Sequence, residues 1–222
     1  MNAPARISVV SDVASAPAGA TSRRDHAIAL GLLAVAAAYA TVRYNLFKGV
    51  PWSDWPGYIA NKALAVAGLW LLAWAAWRKF KGAGSTRVPM AWAGCLILSH
   101  ALVSFCLFGS AYFPKYFAAE RVNLIGGVSL LTGALAVALL ELGARSAPSW
   151  QSRLWLRSLA GLLVLSTLHT ALPGVSAWFT PAEWPGRLPP LTLLASVPGV
   201  LIGLRLLTAS ARWPHKGPHR RS

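Results

Sequence analysis

Acidic residues are scarce in this sequence. Of 222 residues only 6 are Asp or Glu, against 21 Lys and Arg. Charge of either sign is scarce too, at 12% of the chain, where a soluble domain carries roughly 25%. With 55% hydrophobic residues and eleven Trp, that shortage points to a polytopic membrane protein rather than a water-soluble domain. No apolar run holds a pair of acids, which argues against a small ion-coupled transporter. Glu141 is the one acid well inside such a run, four residues before Arg145, a helical pairing distance. Cysteine is limited to Cys95 and Cys106. They lie on one apolar run, about 16 Å apart if it is helical, beyond disulfide reach. There is no P-loop, no G-x-G-x-x-G and no Cys/His cluster with zinc spacing.

The chain does contain six apolar runs, at about 27–42, 58–77, 88–110, 122–142, 154–178 and 191–207. Each approaches the ~20 residues of a membrane span, and Arg43 and Arg205 can snorkel to complete the shorter first and last. The expected fold is all-α: six transmembrane helices in one bundle. The formal charge of +15 does not imply nucleic acid, because the basic residues are dispersed between the runs. Arg78, Lys79, Lys81 and Arg87 join the second and third. Arg145, Arg153 and Arg157 join the fourth and fifth, and Arg212, Lys216, Arg220 and Arg221 follow the sixth. The other three connections carry fewer cations, mixed with Asp54, Glu120 and Glu183. The positive-inside rule then places both termini in the cytoplasm, as an even number of spans requires. Residues 1–25 read as a disordered cytoplasmic tail, 26–210 as the membrane domain and 211–222 as a basic cytoplasmic tail. The outer connections are rich in Trp, Tyr, Phe and Pro, as at Pro51-Trp52, Tyr112-Phe113-Pro114 and Trp184-Pro185, an aromatic belt or a lid over an outward-facing pocket.

Two of the five histidines fall inside apolar runs, His100 in the third and His169 in the fifth. Ionisable groups at membrane depth are expensive and usually functional. Both runs point outward. His100 is thirteen residues beyond Arg87 and His169 twelve beyond Arg157, so both imidazoles lie about 20 Å above the inner boundary. Two rings at one level on neighbouring helices can hold an iron from its two faces, as axial ligands of a b-type haem. The competing reading makes them interhelical hydrogen bonders or proton relays. Ser99, Ser104, Ser166 and Thr170 are candidate partners for the free ring nitrogens. Gly94 and Gly161 leave space beside them for a macrocycle. Lys115, Arg121 and Arg187 are candidate cations for the propionates.

The stretches Asn61-Lys-Ala-Leu-Ala-Val-Ala-Gly-Leu-Trp70, Leu98-Ser-His100-Ala-Leu, Tyr112-Phe-Pro-Lys-Tyr-Phe117, Asn123-Leu-Ile-Gly-Gly-Val-Ser129, Leu168-His169 and Trp184-Pro-Gly-Arg-Leu-Pro-Pro190 resemble the bacterial ferric reductase-like transmembrane domain family. That family is related to the haem subunit of the periplasmic methionine sulfoxide reductase system. The resemblance covers about residues 26–210. It implies a six-helix b-type cytochrome with haem ligands on the third and fifth helices, matched here by His100 and His169. Many relatives have a second ligand about one haem spacing nearer the cytoplasm on the fifth helix. Leu156 stands there, and Arg87 stands thirteen before His100, so the expectation is one haem, in the outer half of the bilayer. Such a protein passes single electrons to a periplasmic or extracytoplasmic acceptor. Its donor is a separate reductase protein, a membrane quinone or a flavin such as FMN, near Arg78, Lys79, Lys81 and Arg157. The implied location is the inner (plasma) membrane. The alternative is a haem-free membrane scaffold or partner subunit.

Overall fold

In the computed structural model, residues 18–145 and 153–212 are described, with side chains over 22–142 and 157–209. The chain is mostly helical. Six long helices appear in order: α1 (Ala18–Thr41), α2 (Ala60–Phe80), α3 (Arg87–Cys106), α4 (Leu124–Arg145), α5 (Arg153–Ala171) and α6 (Leu191–Arg212). The connection between α3 and α4 folds into a two-stranded antiparallel hairpin, β1 (Phe117–Ala118) with β2 (Arg121–Val122), pairing Phe117 with Val122. Much of the tail expected over 1–25, the connection 146–152, and most of the second tail, 213–222, lie outside the described residues. So do the side chains of Arg145, Arg153 and Leu156.

Five helical segments, built on α1, α2, α3, α4 and α6, are long and apolar enough to cross a membrane. The fifth expected span falls on α5, whose described side chains begin only at Arg157 and so cover 157–171. Lipid-compatible faces are plain elsewhere: Leu102, Phe105, Leu124 and Leu131 all point outward.

Boundaries differ from the apolar runs where polar residues continue or stop a helix. The first helix begins at Ala18, inside the segment expected to be a tail. Asp25 is buried there and accepts from Arg78 at 2.7 Å, pinning the start of α1 to the end of α2. Beyond Thr41 the chain continues as a π-helical turn over Val42–Phe47. The fifth helix stops at Ala171 rather than running to Trp178, because Pro173 and Gly174 interrupt it. Asn123 starts α4 as an N-cap, its Oδ1 accepting from the Gly126 N–H at 2.8 Å.

The bundle is centred on α2, whose Leu69, Leu71, Leu72, Ala75 and Ala76 are buried. The neighbours of α2 are α1, α3 and α6, while α5 lies between α4 and α6. Small residues make these contacts close. Ala160, Ala195, Ser196, Gly199 and Gly203 are all buried where α5 meets α6. At Gly68, a Cβ would stand 2.9 Å from Ile97 Cγ1, so α3 seats on α2 only because that side chain is missing. The 184–190 connection is tied down by hydrogen bonds, with Tyr39 Oη donating to Pro189 O at 2.7 Å and Arg43 to Leu188 O, while Trp70 Nε1 on α2 donates to Leu194 O on α6 at 3.0 Å.

Candidate functional site

The two histidines meet. The ring centres of His100 on α3 and His169 on α5 are 6.2 Å apart, with planes inclined at 67°. Both rings are half-buried. The helices that carry them are not closely packed on each other: α3 rests on α2 and α5 on α4 and α6, and α3 approaches α4 only slightly.

Each ring is held by its Nδ1. His100 Nδ1 lies 2.8 Å from Asn61 Oδ1 and 3.2 Å from the Asn61 carbonyl oxygen. Asn61 is buried on α2, and its Nδ2 donates to Ser104 Oγ at 2.8 Å. Ser104 in turn stands 3.4 Å from the same ring nitrogen. His169 Nδ1 lies 2.8 Å from the Ser129 carbonyl oxygen on α4. A carbonyl oxygen only accepts, so these contacts put the proton on Nδ1 and leave the Nε2 lone pair free. Among the described residues neither Nε2 has a hydrogen-bond partner.

Behind His169 the anchoring continues outward. Ser129 Oγ, fully buried, donates to the His169 carbonyl oxygen at 2.8 Å. With its proton so used, it accepts from Tyr116 Oη at 2.9 Å. Burial pushes the Tyr116 hydroxyl up from its ordinary value, so it remains a donor at neutral pH. The chain Tyr116–Ser129–His169 thus ties the loop after α3 to the end of α5. Gly133, one turn beyond Ser129, gives the ring its room: a Cβ there would stand 2.7 Å from His169 Nδ1 and 3.0 Å from Cε1.

Of the residues singled out in the sequence, His100, His169 and Ser104 come together. Thr170 does not join them, for its hydroxyl donates to Thr167 O and meets Ser196 Oγ at 3.1 Å. Gly94 and Gly161 face α4, where a Cβ would meet Leu140 Cδ2 at 3.9 Å and Leu139 Cδ1 at 3.5 Å, ordinary packing contact rather than open space. Arg121 is exposed on β2 and Arg187 on the 184–190 connection, whereas Lys115 comes within electrostatic range of Lys62. In the basic cluster at the other end, Arg78 is committed to Asp25 and lies over the Trp74 ring at 4.8 Å. Lys81 lies over Trp77 at 5.0 Å. Asn61, Ser129 and Gly133 were not singled out as partners of the rings. A signal existed in the first two, each a polar residue in an apolar run.

No group of three or more His, Cys, Asp or Glu side chains that could hold a metal ion occurs among the described residues. A bis-imidazole centre needs only two. His100 and His169, with ring centres 6.2 Å apart, are the two that would hold one. No protein-family model matches this chain, and a search of the curated proteins finds no match either.

Proposed function

We propose that the protein is a single-haem b-type membrane cytochrome of ferric reductase-like type, with His100 and His169 as axial ligands. The observation that carries this reading is the pair of imidazoles 6.2 Å apart, each fixed through Nδ1 to a neighbouring helix and each with Nε2 free. Metal-bound histidines typically donate their other ring N–H to a carbonyl or carboxylate, which fixes tautomer and orientation and raises ligand basicity. Asn61 and Ser129 are placed to do this. Haem iron would supply single-electron redox chemistry, with axial ligation and burial setting its potential. The chain's own part is to hold the rings in place, to keep Gly133 open for the His169 ring, and to exclude water with the surrounding apolar helices.

The further elements follow from the same reading: six spans with both termini in the cytoplasm of an inner-membrane protein, a separate donor (reductase protein, quinol or FMN), and an acceptor outside. The scaffold alternative has one observation in its favour, since both rings do make interhelical hydrogen bonds. It gives no role to the two Nε2 atoms, neither of which has a hydrogen-bond partner among the described residues. Purified protein, expressed with haem supplied, decides between them. A reduced-minus-oxidised spectrum should contain six-coordinate b-type bands that vanish in both His100→Ala and His169→Ala. A colourless wild type would favour the scaffold.

A further inference from the structure

Immediately after Asn61, at the outer end of α2, stands Lys62. Its Nζ lies 4.1 Å from the centre of the Tyr58 ring and 5.2 Å from that of Tyr44. Lys48 Nζ is 5.7 Å from the same Tyr44 ring, and Arg43 Cζ 5.9 Å from it. Tyr44 and Tyr58 meet edge to face at 5.9 Å, and Tyr112 adjoins Tyr58 at 6.1 Å. The side chains acting electrostatically on Lys62 are Tyr58, Lys48 and Lys115, and Lys62 itself acts on His100. Lys62 makes no ion pair among the described residues. Asp54 and Glu120, the acids of the two nearest connections, do not bridge to it.

A lysine near a helix end ordinarily snorkels into water. Lys62 is half-buried and lies against tyrosine faces. Ring quadrupoles attract a cation without neutralising it, and among the described residues no carboxylate pairs with Lys62, with Lys48 beside the same Tyr44 ring, or with Lys115 within electrostatic range of Lys62. Aromatic walls beside the cations favour an organic anion with an apolar body over a small inorganic one. We propose that Lys62, Lys48 and Lys115, walled by Tyr44, Tyr58 and Tyr112, form a carboxylate-binding site at the outer end of the bundle. The carboxylate has two sources: a propionate of a porphyrin gripped by His100 and His169, or a soluble carboxylate ligand from outside. The first source rests on the proposed haem function; the second stands without it.

Two measurements on the full-length protein in detergent separate these sources, using wild type, Lys62→Gln, Lys62→Arg and the double variant Lys48→Gln/Lys115→Gln. One measures haem loss to excess apomyoglobin after loading with either haem or haem dimethyl ester. The other titrates citrate against intrinsic fluorescence. If the carboxylate is a propionate, Lys62→Gln loses free-acid haem about tenfold faster or more, the dimethyl ester leaves both proteins equally fast, and Lys62→Arg restores retention. If it is soluble, citrate binding weakens about tenfold in Lys62→Gln and persists in Lys62→Arg. The double variant, altered only at exposed residues, shifts in the same direction and covers a Lys62→Gln protein that does not fold. Haem retention and citrate binding both indifferent to these lysines would overturn the proposal while leaving the haem reading intact. Citrate binding that needs Lys62 in a protein that takes up no haem would do the reverse.

Discussion

Replacing Gly133 by Ala isolates the His169 ring from the rest of the fold. The added Cβ would arrive 2.7 Å from Nδ1, where ordinary contact begins at 3.4 Å, so ring or helix must retreat by about 0.7 Å. The ring is not a flexible end that swings aside. It is held at 2.8 Å by the Ser129 carbonyl, on the same helix as the intruding methyl. Retreat therefore stretches that hydrogen bond, worth about 1 kcal/mol, on top of an overpacking cost of about 1–3 kcal/mol. Gly→Ala in a helix also gains up to about 1 kcal/mol of propensity, which Gly127→Ala on the same helix shares without a clash, since nothing lies within 4 Å of it. The difference between the two variants is then about 2–4 kcal/mol, read as thermal unfolding in detergent by circular dichroism. Haem affinity should fall about 10–100-fold in Gly133→Ala and stay unchanged in Gly127→Ala. Equal stability and equal haem content in the two variants would refute the packing reasoning.

Other consequences can be checked alongside. Asn61→Leu removes the Oδ1 acceptor of His100 Nδ1 and keeps the backbone carbonyl; it should weaken haem binding about 10–100-fold, by pyridine haemochrome assay, without the complete loss expected of His100→Ala. Tyr116→Phe deletes the donor to Ser129 and should cost about 1 kcal/mol in thermal unfolding. Asp25→Asn keeps an oxygen that can accept from Arg78 but removes the negative charge 2.7 Å from it, and should destabilise by about 3 kcal/mol because the carboxylate is buried; an unchanged melting temperature would mean the pair is solvated.

Much of the helical layout was legible because apolar runs and their basic flanks are read directly from composition. Its boundaries were less so. Hydropathy stops at Ala27, but helix α1 extends back to Ala18, where a charge pair with another helix takes over from apolar burial. Pro173 and Gly174 end α5 inside a stretch that still reads as apolar. For the site, counting residues from Arg87 and Arg157 led to two rings at one level, and the ring centres lie 6.2 Å apart. Their anchors were harder to see. The acceptor for His169 is a backbone carbonyl of α4, which no side-chain pattern announces, and Gly133 matters through a missing Cβ whose neighbour only the helix packing supplies. The sequence did mark Asn61, a buried amide in an apolar helix, though not that it would turn toward His100. Lys62 was hidden for the opposite reason, since a lysine at a helix end reads as an ordinary interfacial cation until its aromatic surroundings are known.

The most direct test is low-temperature electron paramagnetic resonance of the oxidised, purified protein, combined with haem and protein quantitation on the same sample. The account predicts one haem per chain with a low-spin ferric signal of two imidazole ligands, lost in both His100→Ala and His169→Ala. A high-spin signal, two haems per chain, or a low-spin signal that survives either substitution would contradict it.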